Sequence, residues 1–289
     1  MLIELFISPM LLEKVFEPFD SDQYITELKL DGFRLILSYF NGEYHLYTRH
    51  HHEVTSQFTE IFGDSNLPDG TILDGELIVL DKDGKPDFEA VMERFHSNKS
   101  NQSAQFCVFD LLYYKGKNVM NLPLLERKKL LSEISFDNKR IVPVQWVDGS
   151  MTIQYFQQVK YMDLEGIVMK KKDGLYYPNK RTDQFIKVIN YKYEKCLIKG
   201  MIKKDRSFIL HSLTDNRPIG VMKFVPRDER KVVYRWIENG KYQENDEVIG
   251  FSEGIPCEVK YRNWTSKGKL RIPSFYRWLK IDKSKYHPL

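Results

Sequence analysis

Cysteine is scarce: the 289-residue chain holds three, Cys107, Cys196 and Cys257, widely spaced and with no CxxC pair. An odd, scattered set builds neither a disulfide framework nor a structural zinc site, and reduced thiols fit a cytoplasmic protein. Long apolar runs are missing as well. No stretch approaches the roughly 18 apolar residues of a membrane span, so no membrane partner is expected. The first six residues, MLIELF, carry Glu4 where a secretory leader needs lysines. Neither an internal repeat nor a low-complexity tract stands out. Charge of one sign is not in excess either: Lys and Arg number 44 against 40 Asp and Glu, a formal net charge of +4. So mild a balance permits a polyanionic partner without pointing to one, and only charges in particular places can decide it. The length predicts two domains, each large enough to bury a core without covalent staples.

What is there is a series of charged residues set into strand-like stretches. Tyr24-Ile25-Thr26-Glu27-Leu28 alternates as a strand does. Lys29-Leu30-Asp31-Gly32-Phe33-Arg34 follows. Its Asp31-Gly32 pair is a turn signal, and Leu35-Ile36-Leu37-Ser38-Tyr39 resumes as a second strand, so the pattern predicts a hairpin. Lys29 then sits at a strand end with Arg34 close behind. That arrangement suits an amine aimed at a phosphate, or an ordinary surface lysine. Glu27, two residues earlier, shares the face of Lys29, as a pocket residue or as a cross-strand charge partner. Asn41-Gly42 predicts another hairpin, whose second strand runs Tyr44-His45-Leu46-Tyr47-Thr48-Arg49. His50-His51-His52 cannot share one face of a strand and reads as a polar loop rather than a metal cage.

Further along, Thr71-Ile72-Leu73-Asp74-Gly75-Glu76-Leu77-Ile78-Val79 is an apolar strand interrupted by acids. A carboxylate there is costly unless paired, hydrogen-bonded or metal-bound, which singles out Glu76. Residues 87–96 predict a helix with Phe88, Val91, Met92 and Phe95 in the core and Arg94 outside it. Phe106-Cys107-Val108-Phe109-Asp110-Leu111-Leu112-Tyr113 is a strand. Residues 124–131, after Pro123, and 151–162 read as scaffold helices. Glu165 and Lys170 flank a short apolar strand in Leu164-Glu165-Gly166-Ile167-Val168-Met169-Lys170. Tyr176-Tyr177-Pro178-Asn179-Lys180-Arg181 interleaves aromatic and basic residues, which suits contact with a phosphate backbone. From about Tyr193 the chain turns to short alternating stretches, at 197–202, 207–212, 219–224 and 257–261, with a short helix within 226–243.

In their order these blocks resemble the motifs of covalent nucleotidyltransferases, the superfamily of ATP-dependent DNA ligases, RNA ligases and mRNA capping enzymes. KLDGFR resembles the nucleophile motif KxDGxR, which implies that Lys29 is catalytic and that Glu27 lies beside the purine. Thr48-Arg49 resembles the block whose Arg contacts phosphate, without the Asn-Gly that often follows. LDGEL resembles the block whose Glu binds ribose or supports a metal; a structural salt bridge is the other reading of Glu76. FDLLY implies that Phe109 stacks on the purine. EGIVMK implies Glu165 as a Mg²⁺ ligand and Lys170 on the α-phosphate. Gln184-Phe185-Ile186-Lys187-Val188-Ile189 departs from the family's Trp-x-Lys-x-Lys: Lys187 matches the first lysine, and Ile189 stands where the second belongs. LRIPSFYRW near the C-terminus resembles LRxPxFxRxR, with its basic ending displaced onto Lys280 or Lys283.

The resemblance covers residues 9–283 and is nearest the minimal bacterial or phage type of ATP-dependent DNA ligase. The implied fold class is α+β: a nucleotidyltransferase (ATP-grasp-like) domain of antiparallel sheets with flanking helices over 1–190, and a C-terminal OB-fold β-barrel over 191–289. The implied ATP site comprises Glu27, Lys29, Arg34, Arg49, Glu76, Phe109, Lys170, Lys187, Arg271 and Lys283. Glu76 and Glu165 would hold Mg²⁺ or Mn²⁺. Arg49, Arg94, Lys180, Arg181 and Arg277 would meet nicked duplex DNA, and the protein would act as a cytoplasmic monomer. A free lysine has a pKa of about 10.4, so attack near pH 7.5 needs roughly 3 units, or about 4 kcal/mol, of differential interaction favouring the neutral amine. A capping enzyme or RNA ligase uses the same nucleophile motif, and Ile189 with the displaced ending also fits a weakly active DNA-end-binding scaffold.

Overall fold

The computed structural model describes residues 6–62, 66–97, 102–136, 139–239 and 242–279. Two compact units divide the chain, Met1–Asn190 and Tyr191–Leu289. The first unit begins with β1 (Leu11–Lys14), β2 (Tyr24–Leu28), β3 (Phe33–Phe40), β4 (Glu43–Thr48) and β5 (Thr71–Val79). Helix α1 (Phe88–His96) leads to β6 (Ala104–Tyr114) and β7 (Lys117–Asn118), and α2 (Leu124–Ser132) to β8 (Ile141–Pro143) and β9 (Trp146–Asp148). Helix α3 (Thr152–Tyr161) precedes β10 (Gly166–Lys171) and β11 (Arg181–Ile189). Two sheets result, one in the order β1-β11-β10-β2-β9 and the other β4-β3-β5-β6-β7, with β8 beside β6. They are mainly antiparallel; β1 meets β11 and β8 meets β6 in parallel.

Strand alternation assigns each face its task. On the first sheet Ile167, Met169, Ile186 and Val188 pack with Phe156 and Val159 of α3. The second sheet buries Leu35, Leu37, Leu73 and Val108 with Val91 of α1. Its alternate residues Ile36, Ile72 and Leu112 turn the other way and meet Ile25 and Phe185 of the first sheet. That third cluster joins the sheets.

Local turn chemistry holds at Asn41-Gly42. Both residues have positive φ, 53° and 80°, as a two-residue type I′ turn needs, and Phe40 pairs with Glu43 across it. The hairpin expected at Asp31-Gly32 does not form. β2 pairs with β10 and β9, whereas β3 pairs with β4 and β5. Residues 29–32 therefore cross from one sheet to the other. Gly32 serves close approach rather than a left-handed turn: a Cβ there would lie 2.2 Å from the Leu77 carbonyl oxygen and 2.9 Å from Ile78 Cγ2.

The second unit comprises β12 (Lys192–Ile202), β13 (Phe208–Ser212), β14 (Pro218–Met222), α4 (Arg227–Asn239), β15 (Tyr242–Glu244), β16 (Val248–Tyr261) and β17 (Ser274–Trp278). Its strands order as β14-β13-β12-β16-β15, with β17 on β16. Ile198, Phe208, Leu210, Ile255 and Val259 form its core with Val233 of α4. Cys196 and Cys257 face each other across β12 and β16 as buried free thiols, their sulfurs 3.7 Å apart. Among the described residues no helix is long and apolar enough to cross a membrane.

Candidate active site

The first sheet supplies one wall by simple register. Glu27 on β2 stands opposite Val168 on β10, and Val168 opposite Lys187 on β11. Lys170 stands opposite Ile25 and Phe185. Glu27, Val168, Lys170, Phe185 and Lys187 thus belong to one face of three adjacent strands. The second sheet supplies the other wall, where Arg34 on β3 pairs with Glu76 on β5. Between the walls lies a cavity of about 50 Å³, lined by Leu12, Glu27, Lys29, Arg34, Glu76, Phe109, Val168, Lys170 and Phe185, among others.

Lys29 is held twice. Its backbone N–H donates to Gly166 O at 2.9 Å, and its ammonium donates to Glu165 Oε2 at 2.7 Å with 19% of the side chain exposed. Arg34 makes a fork on Asp74, with Nε and Nη2 each 2.6 Å from a carboxylate oxygen. Tyr176 donates its hydroxyl to the same Asp74 at 2.6 Å and accepts the Met10 N–H at 2.9 Å. Burial opposes the Arg34 charge, yet Asp74 outweighs it and raises the guanidinium's pKa further. Glu76 is pushed up to about 7, first by burial, then by Glu165 and Asp74; Lys29 and Arg34 pull against that rise.

A second set of charges runs from the wall, at Glu27 and Lys170, to residues that do not line the cavity. Glu27 accepts Lys170 Nζ on Oε2 at 2.8 Å and Lys128 Nζ on Oε1. Arg127 forks onto Asp110 at 2.7 and 2.9 Å. Burial lowers the Lys170 pKa against the pull of Glu27. Over the Phe109 ring stand Lys170 Nζ at 4.4 Å and Arg34 at 4.7 Å from the centroid, so this aromatic face meets charge rather than apolar core.

Six expected residues, Glu27, Lys29, Arg34, Glu76, Phe109 and Lys170, therefore line one cavity, and Glu165 touches Lys29. Lys187 is half-buried two residues beyond Phe185, and Arg49 is exposed on the turn after β4; neither lines the cavity. Lys180 and Arg181 are exposed. Arg181 donates to Leu12 O, and Lys180 lies 6.0 Å from the Tyr177 ring. Arg94 does not reach outward. It is 8% exposed, donates to Gln57 O at 2.7 Å and Glu60 at 2.8 Å, and lies over the Phe58 ring, because α1 turns it toward the loop after β4. Tyr176 likewise leaves the expected basic–aromatic surface for the core, drawn in by Asp74.

In the second unit Arg271 is half-buried, 3.3 Å from Asn263 Oδ1, and Arg277 is exposed with Nε 2.5 Å from Glu258. Lys280 and Lys283 lie outside the described residues. His51 stacks on Phe6 with centroids 4.0 Å apart. Among the described residues no group of three or more His, Cys, Asp or Glu could hold a metal ion. What Glu76 and Glu165 offer beside Lys29 is two hard oxygen donors, the set suited to an ion that keeps water and phosphate ligands.

Lys128 and Arg127 escaped the sequence reading, which took their helix for scaffold. The signal was present. Leu124, Arg127, Lys128 and Leu131 fall at i, i+3, i+4 and i+7, so both cations share the buried face of the two leucines.

Residues 6–188 match the protein family described as ATP dependent DNA ligase domain. The chain is 47% identical over 274 residues to the SPbeta prophage-derived DNA ligase-like protein LigB of Bacillus subtilis (strain 168), covering 95% of this chain and 99% of that one. It is 26% identical over 286 residues to the multifunctional non-homologous end joining protein LigD of Mycobacterium bovis, covering 91% of this chain and 37% of that one. A solved structure from a structure-function analysis of Lig E DNA ligases, on DNA binding with a minimal scaffold, aligns with a TM-score of 0.68 at 17% identity. That alignment covers 95% of this chain and 100% of the other, a likeness of fold.

Proposed function

The chain belongs to the ATP-dependent DNA ligase family, and from that premise we propose that it seals nicks in duplex DNA through a covalent adenylate on Lys29. One observation carries the reading: Lys29 lines a cavity it shares with Arg34, Glu76, Phe109 and Lys170. The purine of ATP lies against Phe109, and Lys170 turns to the α-phosphate. The neutral amine of Lys29 attacks the α-phosphorus, a P–N bond forms, and pyrophosphate leaves. Glu165 accepts the hydrogen bond of that amine and is within reach of the proton it sheds. The AMP then passes to the 5′-phosphate of the nick, and the neighbouring 3′-hydroxyl attacks to join the strand and release AMP.

Mg²⁺ or Mn²⁺ fits the donor set of Glu76 and Glu165 and, when bound, neutralises charge on the triphosphate. Arg49, Lys180, Arg181 and Arg277 offer exposed cations to the DNA backbone. Arg271 aligns the pyrophosphate. The second unit, with six strands in one sheet, is read as an OB-fold, and the chain acts as a monomer.

Incubation with α-labelled ATP and a divalent ion, followed by denaturing electrophoresis, tests the central step. The wild-type chain is expected to carry a labelled adduct and to close a nicked duplex, and Lys29→Ala to do neither. A labelled band of undiminished intensity in Lys29→Ala would remove the assignment.

A further inference from the structure

The charges in and behind the cavity wall are unequally matched. Arg127 and Asp110 satisfy each other, and Arg127 also bonds the carbonyls of Leu122 and Gly174 at 2.6 and 3.0 Å. Glu27, 2% exposed, is instead shared between Lys170 and Lys128. Three cations face two carboxylates, so the cluster holds one positive charge in excess. An unbalanced buried charge is costly until a counter-charge arrives. Lys170 lines the cavity; Lys128, on α2, does not. Only Lys170 can turn to an arriving phosphate without leaving the wall. When it does, Glu27 keeps a single partner, and the pair it forms with Lys128 is electrically balanced.

We propose that Lys128 is a positioning residue for nucleotide binding: it retains Glu27 in place while Lys170 exchanges that carboxylate for the α-phosphate of ATP. The inference deepens the adenylation reading and rests on it. Without Lys128, Glu27 and Lys170 would form a closed pair, and ATP could engage Lys170 only by leaving a buried carboxylate bare. The loss therefore falls on binding rather than on attack.

The test measures single-turnover formation of the lysyl adenylate against ATP concentration, with folding followed by circular dichroism. Lys128→Met should raise the KM for ATP at least tenfold and change the maximal rate less than threefold. Lys128→Arg, which keeps the charge, should restore KM to within threefold of wild type. In a Glu27→Gln background the carboxylate no longer needs a partner, so adding Lys128→Met should shift KM less than threefold. That comparison stands even if the single variant Lys128→Met fails to fold. An unchanged KM in a folded Lys128→Met, no rescue by Lys128→Arg, or a tenfold further loss in the Glu27→Gln background would overturn the proposal. Absence of any adduct in the wild type would instead defeat the adenylation reading and leave the outcome easily told apart.

Discussion

Glu76 carries a proton at a pH where a solvent-exposed glutamate has lost it. Its pKa rises from the ordinary 4.5 to about 7, first through burial and then through Glu165 and Asp74. Such a group holds its proton more tightly in the folded chain than in the unfolded one. Its stabilising contribution is complete below about pH 4.5 and is lost as pH rises through 7. At pH 8 the free protein therefore contains a carboxylate that its surroundings disfavour, the condition a divalent ion would relieve. Glu76→Gln removes the ionisation. In EDTA and without ATP, its melting temperature should match wild type near pH 5 and exceed it at pH 8. The half-buried setting limits the difference to about 1–2 kcal/mol, or roughly 3–6 °C. The same variant should form adduct at least tenfold more slowly, since the amide gives up the charged donor. Thermal melts across pH 5–8 check the first expectation; equal melting temperatures at pH 8 would show that the carboxylate is not disfavoured there.

At the scale of elements, the crossing from β2 to β3 brings Lys29 and Arg34 to one cavity. Gly32 permits it by letting the crossing lie against β5, where the Leu77 carbonyl leaves no room for a Cβ. Gly32→Ala should therefore destabilise the chain by about 2–3 kcal/mol, through overpacking against backbone that cannot yield. Urea unfolding measures this, and a loss under 0.5 kcal/mol would mean the crossing has slack. The strands themselves were legible because alternation is local, and so was the Asn41-Gly42 turn, whose two positive φ values are demanded by two adjacent residues. The missing hairpin at Asp31-Gly32 was not legible. A turn pair reports only that the chain bends, whereas the partners of β2 and β3 lie at β10 and β5, far along the sequence. The strand residues that line the cavity were legible because each stood in a short block of fixed spacing. Lys128 and Tyr176 were missed for a different reason: Lys128 was read with its helix as scaffold and Tyr176 as part of a basic–aromatic loop, and the acids that draw them inward, Glu27 and Asp74, are about a hundred residues away.

For the whole molecule, a net charge of +4 is too small to bind a polyanion by bulk attraction, so affinity for DNA must come from a few placed cations. Each phosphate contact releases counterions and steepens the dependence of log K on log salt by about 0.9. Lys180, just before β11, and Arg181, its first residue, are exposed. Arg181 gives one of its five N–H donors to the neutral Leu12 carbonyl and meets no competing carboxylate there. Arg277 is exposed but bonded to Glu258, so a phosphate must compete with that carboxylate. Arg94 is committed inside the fold to Gln57 and Glu60. The four arginine and lysine positions thus separate into classes that a salt titration can read. Lys180→Ala and Arg181→Ala should each weaken binding to a nicked duplex whatever its sequence and flatten the salt slope by about one unit. Arg277→Ala should flatten it less. Arg94→Ala should leave the slope alone and instead lower stability by about 1–3 kcal/mol, since it strips Glu60 and a backbone carbonyl of their donor. Fluorescence anisotropy of a labelled nicked duplex from 50 to 200 mM salt, paired with urea unfolding, sorts the four variants. A flattened slope in Arg94→Ala with unchanged stability would return that residue to the DNA-contacting surface and place α1 there with it.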